Sequence, residues 1–289
     1  MQRKVSLSRV LPADTVISVV DIGASDVDGP PPYMPLVEAG RAAILGFEPN
    51  PAEFAKLDAR RSSYETYLPY ALGDGRERTI HYCAAPGMTS LFEPNSELLA
   101  YFYGFPEWGR VTHTERIQTV RLDDVPEIEH MDYLKIDIQG AELMVFENAV
   151  TRLADCLVVH AETLFLPMYV GQPLFSEVEQ FLRRQGFMIH TFAPLISRVV
   201  RPLSVNNNPH SPLRQIFWAD AVFVRDFTRF DKLGDVELLK LAAILNDCYG
   251  SFDLALRALM ELDRRQHSER ARGYLSALTD LTGNMEKRG

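Results

Sequence analysis

Three side chains in this 289-residue sequence have the chemistry to move a proton and the spacing to do it together: Asp137, His160 and Glu162. Asp137 ends the run Tyr133-Leu134-Lys135-Ile136, while His160 and Glu162 lie two apart at the end of Cys156-Leu157-Val158-Val159. On a strand, that spacing puts His160 and Glu162 on one face. A carboxylate or imidazole there could take the proton of a hydroxyl as its oxygen attacks a carbon held in line with it. The same three residues could instead hold a divalent cation, or only hydrogen-bond a strand end. No HxH or HxxxH spacing supports the metal.

A second pair of acids has a different use. Asp21 follows Val16-Ile17-Ser18-Val19-Val20, Glu48 follows Ala42-Ala43-Ile44-Leu45-Gly46-Phe47, and the two are 27 positions apart. In a strand-helix-strand unit, a carboxylate at the second tip can accept hydrogen bonds from both hydroxyls of a ribose lying over the first turn. The bland alternative for Glu48 is a solvated acid at a strand end. Gly23 lets the chain turn sharply and come close to a bound molecule. Because G-x-G-x-x-G is absent, a pyrophosphate has no cradle, and an adenosine cofactor without a diphosphate fits better. S-adenosylmethionine is the common one.

The elements that must position these residues read as alternating strands and helices. Continuous apolar runs give buried parallel strands ending at Asp21 and Glu48, with short helices over 33–40 and 52–61. A third strand is expected over 67–72, ending in Gly73-Asp74-Gly75, and others over 78–83 and 118–124. The aromatic stretch 98–116 reads as a packed loop or a wall over the site. Lys135 interrupts an apolar strand, so its amine must reach a carboxylate or the sheet end. One helix is expected over 141–153 and another over 176–185. Two late strands, 187–192 and 215–224, have no helix between them, which implies an antiparallel ending. The whole is a doubly wound, mostly parallel seven-stranded α/β sheet. Residues 1–230 form that domain, and 231–289 form a C-terminal helical hairpin that packs on the body or pairs with a second copy. Asp26 to Asp28 belong to a stiff loop before three prolines, and Gly283 to Gly289 read as a disordered end.

Composition narrows the partners. A net charge of −9 argues against general nucleic-acid binding, which needs a basic face. No window approaches the ~18 apolar residues of a membrane span, and no leader peptide is evident. Cys83, Cys156 and Cys248 have no paired spacing and read as reduced thiols of a cytoplasmic protein.

The motif Lys135-Ile136-Asp137-Ile138-Gln139-Gly140-Ala141-Glu142 resembles the FkbM family of S-adenosylmethionine-dependent methyltransferases. The likeness runs from about Val16 to Val224, through Val-Asp-Ile-Gly-Ala at 20–24, Gly-Phe-Glu-Pro-Asn at 46–50, Ala-Leu-Gly-Asp at 71–74, Ser-Leu at 90–91 and Leu-Asp-Asp at 122–124. It implies a class I, Rossmann-like fold and methylation of a hydroxyl on a saccharide or natural-product acceptor. Carried over by position, it implies cofactor contacts at Asp21, Gly23, Ala24, Glu48, Asn50, Leu72 and Ser90, with Asp137 and Glu162 on the acceptor side. The family pattern has Glu where Gln139 stands, so Gln139 is left out of the expected chemistry. Two other classes remain: a nucleotide-sugar-modifying enzyme, and a non-catalytic adenosine-binding or protein-interaction module working through its C-terminal helices.

Overall fold

The computed structural model of the chain describes residues 5–24, 29–208 and 211–282. The readings made for Asp26 to Asp28 and for Gly283 to Gly289 lie outside them. The first half builds β1 (Ile17–Ile22), α1 (Met34–Glu38), β2 (Ala42–Phe47), α2 (Pro51–Arg60) and β3 (Glu65–Leu68). There follow β4 (Ala71–Leu72), β5 (Glu77–Cys83), α3 (Ser96–Leu99), α4 (Phe105–Trp108) and β6 (Val111–Val120). The second half gives β7 (Tyr133–Ile136), α5 (Glu142–Glu147), α6 (Val150–Asp155), β8 (Val158–Leu164), α7 (Phe175–Arg184), β9 (Phe187–Arg198) and β10 (Gln215–Arg225). Three helices close the chain: α8 (Asp235–Tyr249), α9 (Phe252–Gln266) and α10 (Arg270–Thr282).

The main sheet has seven strands in the order β3-β2-β1-β7-β8-β10-β9. β1, β2, β3, β7 and β8 are parallel, and β10 runs antiparallel to both of its neighbours. This is the expected doubly wound sheet with an antiparallel ending. The order reverses beside β1, and ligands bind outside the carboxyl ends of strands at such a reversal. A smaller sheet, β4-β6-β5, stands over those ends.

Both faces of the main sheet are covered, which is why its central strands read as continuous apolar runs. On one face Val20, Ile22, Leu134 and Val159 pack against Val145, Phe146, Leu153 and Leu182 of α5 to α7. On the other, Ile17, Val19, Tyr133 and Val158 share a core with Leu36 of α1 and with Leu241, Leu245, Ala258 and Tyr274 of α8 to α10. The C-terminal segment therefore packs on the body, and it holds three helices where a hairpin is expected. Among the described residues no helix is long and apolar enough to cross a membrane.

Three more expectations need correction. The third strand of the main sheet is 65–68, because Pro69 cannot donate to a ladder and Ala71–Leu72 leave for the small sheet. Residues 111–120 are all strand, paired antiparallel with β5, so the aromatic stretch ends earlier and contains α3 and α4. The helix expected over 141–153 breaks at Asn148 and Ala149. The Asp123 carboxylate accepts the N–H groups of Thr151 and Arg152, at 3.2 and 3.0 Å, and so starts a new helix there. Asp123 thus supplies a helix cap from the Leu-Asp-Asp motif.

Leu241 is fully buried between α8 and the sheet. Leu241→Ala is expected to cost about 2–5 kcal/mol in denaturant unfolding. A loss below about 1 kcal/mol would mean that α8 is not part of the sheet's core.

Candidate active site

One cavity of about 1320 Å³ lies along the carboxyl ends of β1, β2, β7 and β8 and reaches β9 and β10. Ligand pockets are usually ~300–1,000 Å³, so there is room for two molecules side by side. Asp21, Gly23, Ala24, Glu48, Asn50, Leu72 and Ser90 line it, as do Asp137, His160 and Glu162.

At the β1 end, Asp21 is buried and accepts a hydrogen bond from the Tyr33 hydroxyl at 2.6 Å. Its Oδ1 lies 3.2 Å from the Lys135 amine, which also donates to the Gly23 carbonyl at 2.9 Å. The awkward lysine therefore reaches both a carboxylate and the strand end. Burial alone would depress the Lys135 pKa, but the Asp21 and Asp137 carboxylates outweigh it and raise it. Gly23 has φ +77°, and a Cβ there would sit 2.0 Å from the Asp137 carbonyl oxygen. The missing side chain thus admits the neighbouring strand's backbone, where the sequence suggests a ligand.

Glu48 is buried at the tip of β2, and burial raises its pKa against the opposing hydrogen bond from Asn50. Its Oε1 accepts the Asn50 N–H at 2.8 Å, and among the described residues Oε2 has no hydrogen-bond partner. The Asn50 side chain caps α2 by accepting from Ala52 N–H at 2.9 Å. Ser90 donates to the Gln139 carbonyl at 2.7 Å and accepts the Phe92 N–H at 3.0 Å. Leu72 contributes a buried apolar wall.

Beyond Asp137 the backbone enters the left-handed region at Gln139, φ +56°. Such a conformation in a non-glycine residue is costly and tends to mark working positions. The Gln139 amide donates to Asp137 at 2.9 Å and to Glu162 at 2.8 Å, while its carbonyl accepts from the Tyr169 hydroxyl at 2.9 Å. Asp137, Glu142 and Glu162 place carboxylate oxygens within 4.8 Å of one another. Burial raises Glu162 well above the carboxylate range, and the charges of Asp137, Glu142 and Asp220 push it further. Burial likewise lifts Glu142 to about 7, although its carboxylate accepts the Ile138 N–H at 2.9 Å and the Gly140 N–H at 3.3 Å.

His160 does not join Asp137 and Glu162. Its Nδ1 is paired with the Tyr249 hydroxyl at 3.0 Å and its Nε2 lies 3.4 Å from Asp220. Tyr249 in turn meets the Tyr133 hydroxyl. The expected trio is therefore an acid pair bridged by Gln139, with His160 in a separate chain of partners that begins on α8. Sequence reasoning passed over Gln139, Glu142 and Tyr249. The first two stand inside the motif that drew notice, and no local pattern marks the third.

A model of the methyltransferase FkbM domain matches residues 21–189. A putative methyltransferase from Thermoplasma acidophilum aligns with 73% of this chain and 69% of its own at 7% identity, with a TM-score of 0.36. The 23S rRNA methyltransferase ErmE aligns with 89% of this chain and 95% of its own at 10% identity, with a TM-score of 0.33. No curated protein matches the chain.

Glu142 gives the site a measurable pH dependence. In the unfolded chain its carboxyl ionises near its ordinary 4.5, and in the folded protein near 7. Folding therefore takes up a proton between those values, and stability falls as pH rises through them, by on the order of 3 kcal/mol. Glu142→Gln keeps an oxygen for the two N–H groups and removes that slope. Unfolding from pH about 5 to about 8 should show the variant gaining on the wild type as pH rises. Parallel curves would place the titration elsewhere.

Proposed function

The chain belongs to the FkbM methyltransferase family, and on that premise we propose that it moves the methyl group of S-adenosylmethionine to a hydroxyl of a saccharide or natural-product acceptor. The observation that supports this most is that Glu48, with Oε2 free of hydrogen bonds among the described residues, shares one cavity with the bridged Asp137 and Glu162 carboxyls.

The cofactor's nucleoside would lie over the tips of β1 and β2. Glu48 has an oxygen for the ribose hydroxyls, the turn at Gly23 and Ala24 gives a close backbone floor, and Leu72 gives an apolar wall. Asn50 and Ser90 hold the surrounding turns through the bonds already described. S-adenosylmethionine, when bound, supplies an electrophilic methyl carbon on a positively charged sulfur. An acid-rich wall around Asp137 favours a cation near it.

The acceptor hydroxyl loses its proton as its oxygen forms the new bond to carbon. The Asp137 and Glu162 pair receives that proton. Gln139 keeps the two carboxyls at a fixed separation, and its neutral amide adds no charge to an already crowded cluster. Burial and the neighbouring acids raise the Glu162 pKa, so its carboxyl gives up a proton less readily than a solvated one.

Two variants separate binding from chemistry. Glu48→Ala is expected to weaken S-adenosylhomocysteine binding in calorimetry by roughly 10- to 100-fold, the worth of a charged hydrogen bond. Asp137→Asn is expected to leave that affinity within a few-fold and to cut labelled methyl transfer to a hydroxyl acceptor by about 100-fold or more. Unchanged affinity in Glu48→Ala, or full turnover in Asp137→Asn, would contradict the assignment.

A further inference from the structure

The chain carries net charge −9, yet from Phe187 to Ala219 it has three arginines, Arg198, Arg201 and Arg214, and no aspartate or glutamate. This stretch spans β9 and the start of β10, and Pro194, Ile196, Arg198 and Trp218 from it line the cavity where it reaches β9, the edge strand of the main sheet. Arg201 is held away, stacked over the Tyr103 ring at 5.0 Å and donating to the Ala100 carbonyl at 3.1 Å.

Arg198 is different. Its guanidinium lies over the Trp218 ring, 4.5 Å from the centroid, and Nη1 donates to the Ser197 carbonyl at 3.1 Å. Among the described residues its Nε is buried without a partner. Burial lowers the Arg198 pKa and no carboxylate among the described residues raises it, yet a guanidinium keeps its proton at neutral pH. A half-buried cation without a counter-ion is costly unless something entering the cavity brings one.

The middle of the same space is acidic, with Asp137, Glu162 and Asp220 on its wall. An elongated molecule reaching from there to β9 meets opposite fields. A negative group on it is repelled from the carboxyls and drawn to Arg198, which leaves its far hydroxyl facing Asp137. Trp218 and Trp108, which both pack on Phe105, line the same space and give it aromatic surface against which a ring can rest.

We propose that the methyl acceptor carries an anionic group, a carboxylate or a phosphate, that pairs with Arg198 while its ring lies along Trp218 and Trp108. The proposal rests on the methyl-transfer reading of this cavity and names the acceptor's class: an acidic or phosphorylated ring compound with a free hydroxyl. Arg198 is then a specificity residue, offering a planar fork that fits either anion.

The chain's two tryptophans both line the cavity, so intrinsic fluorescence reports its filling directly. The probes are methyl glucoside, the matching glucuronide and glucose 6-phosphate, together with 4-hydroxybenzoate and its neutral amide. At least one anionic probe is expected to bind ~10-fold or more tightly than its neutral counterpart, and the glucuronide and phosphate arms tell the two anions apart. Arg198→Gln should abolish that preference. Arg198→Lys, which keeps the charge and loses the fork, should retain part of it. Thermal unfolding shows that both variants are folded before they are compared.

Equal response to charged and neutral probes, no response to any anionic probe, or a preference that survives in Arg198→Gln would each overturn the anion site. Calorimetry with S-adenosylhomocysteine on the same preparations keeps the two ideas apart. Wild-type protein that fails to bind it would overturn the methyl-transfer reading. Normal binding in both wild type and Arg198→Gln, without an anion preference, would overturn the anion site alone.

Discussion

The structure turns on one partly buried cation. The Lys135 amine sits between the Asp21 carboxylate, 3.2 Å away, and the Gly23 carbonyl, 2.9 Å away, and so ties the end of β7 to the end of β1. A lysine within a central strand is tolerated only when its charge is met, and here it is met by an acid that is itself buried. The link also holds Gly23 against the Asp137 carbonyl, where no other residue would fit. The two strand tips that frame the cavity are thereby locked at a distance shorter than ordinary side chains permit.

From that fixed point the site builds outward with alternating sign. Asp21 and Lys135 neutralise each other, and beyond them Asp137, Glu142 and Glu162 crowd their carboxylate oxygens within 4.8 Å of one another. Burial raises the Glu142 and Glu162 carboxyls, and the charges of the neighbouring acids add to it. Gln139 fits this setting better than a glutamate would, since its amide can donate to two carboxyls at once. Farther along, the sign reverses at Arg198. One cavity thus has an acid-rich middle and a cationic end, which is a means of orienting whatever lies in it.

Much of this was legible in the residues. Apolar runs that end in Asp21, Glu48 and Asp137 can only be buried strands whose last residue emerges, and Lys135 demands an acid close by. The unbroken change from 187–192 to 215–224 gave away the antiparallel pair. What could not be read depends on partners brought together by folding. His160 meets Tyr249, 89 positions later, and nothing local to either signals the other. The helix break at Asn148 is imposed by Asp123 from another segment. Pro69 does show a local reason why the third strand stops early, so that boundary was available and was set too late. Trp108 of α4 and Trp218 of β10 both pack on Phe105, a meeting of distant segments that no local pattern signals.

The Lys135 and Asp21 pairing is open to a direct measurement: a double-mutant cycle of Asp21→Asn and Lys135→Met followed by denaturant unfolding. Removing either partner alone leaves a buried charge unmet and should cost about 3–5 kcal/mol, whereas the double variant should lose less than the sum by about 2 kcal/mol or more. Costs that add to within about 0.5 kcal/mol would show that the two residues act independently, and the cation would no longer be what holds the site together.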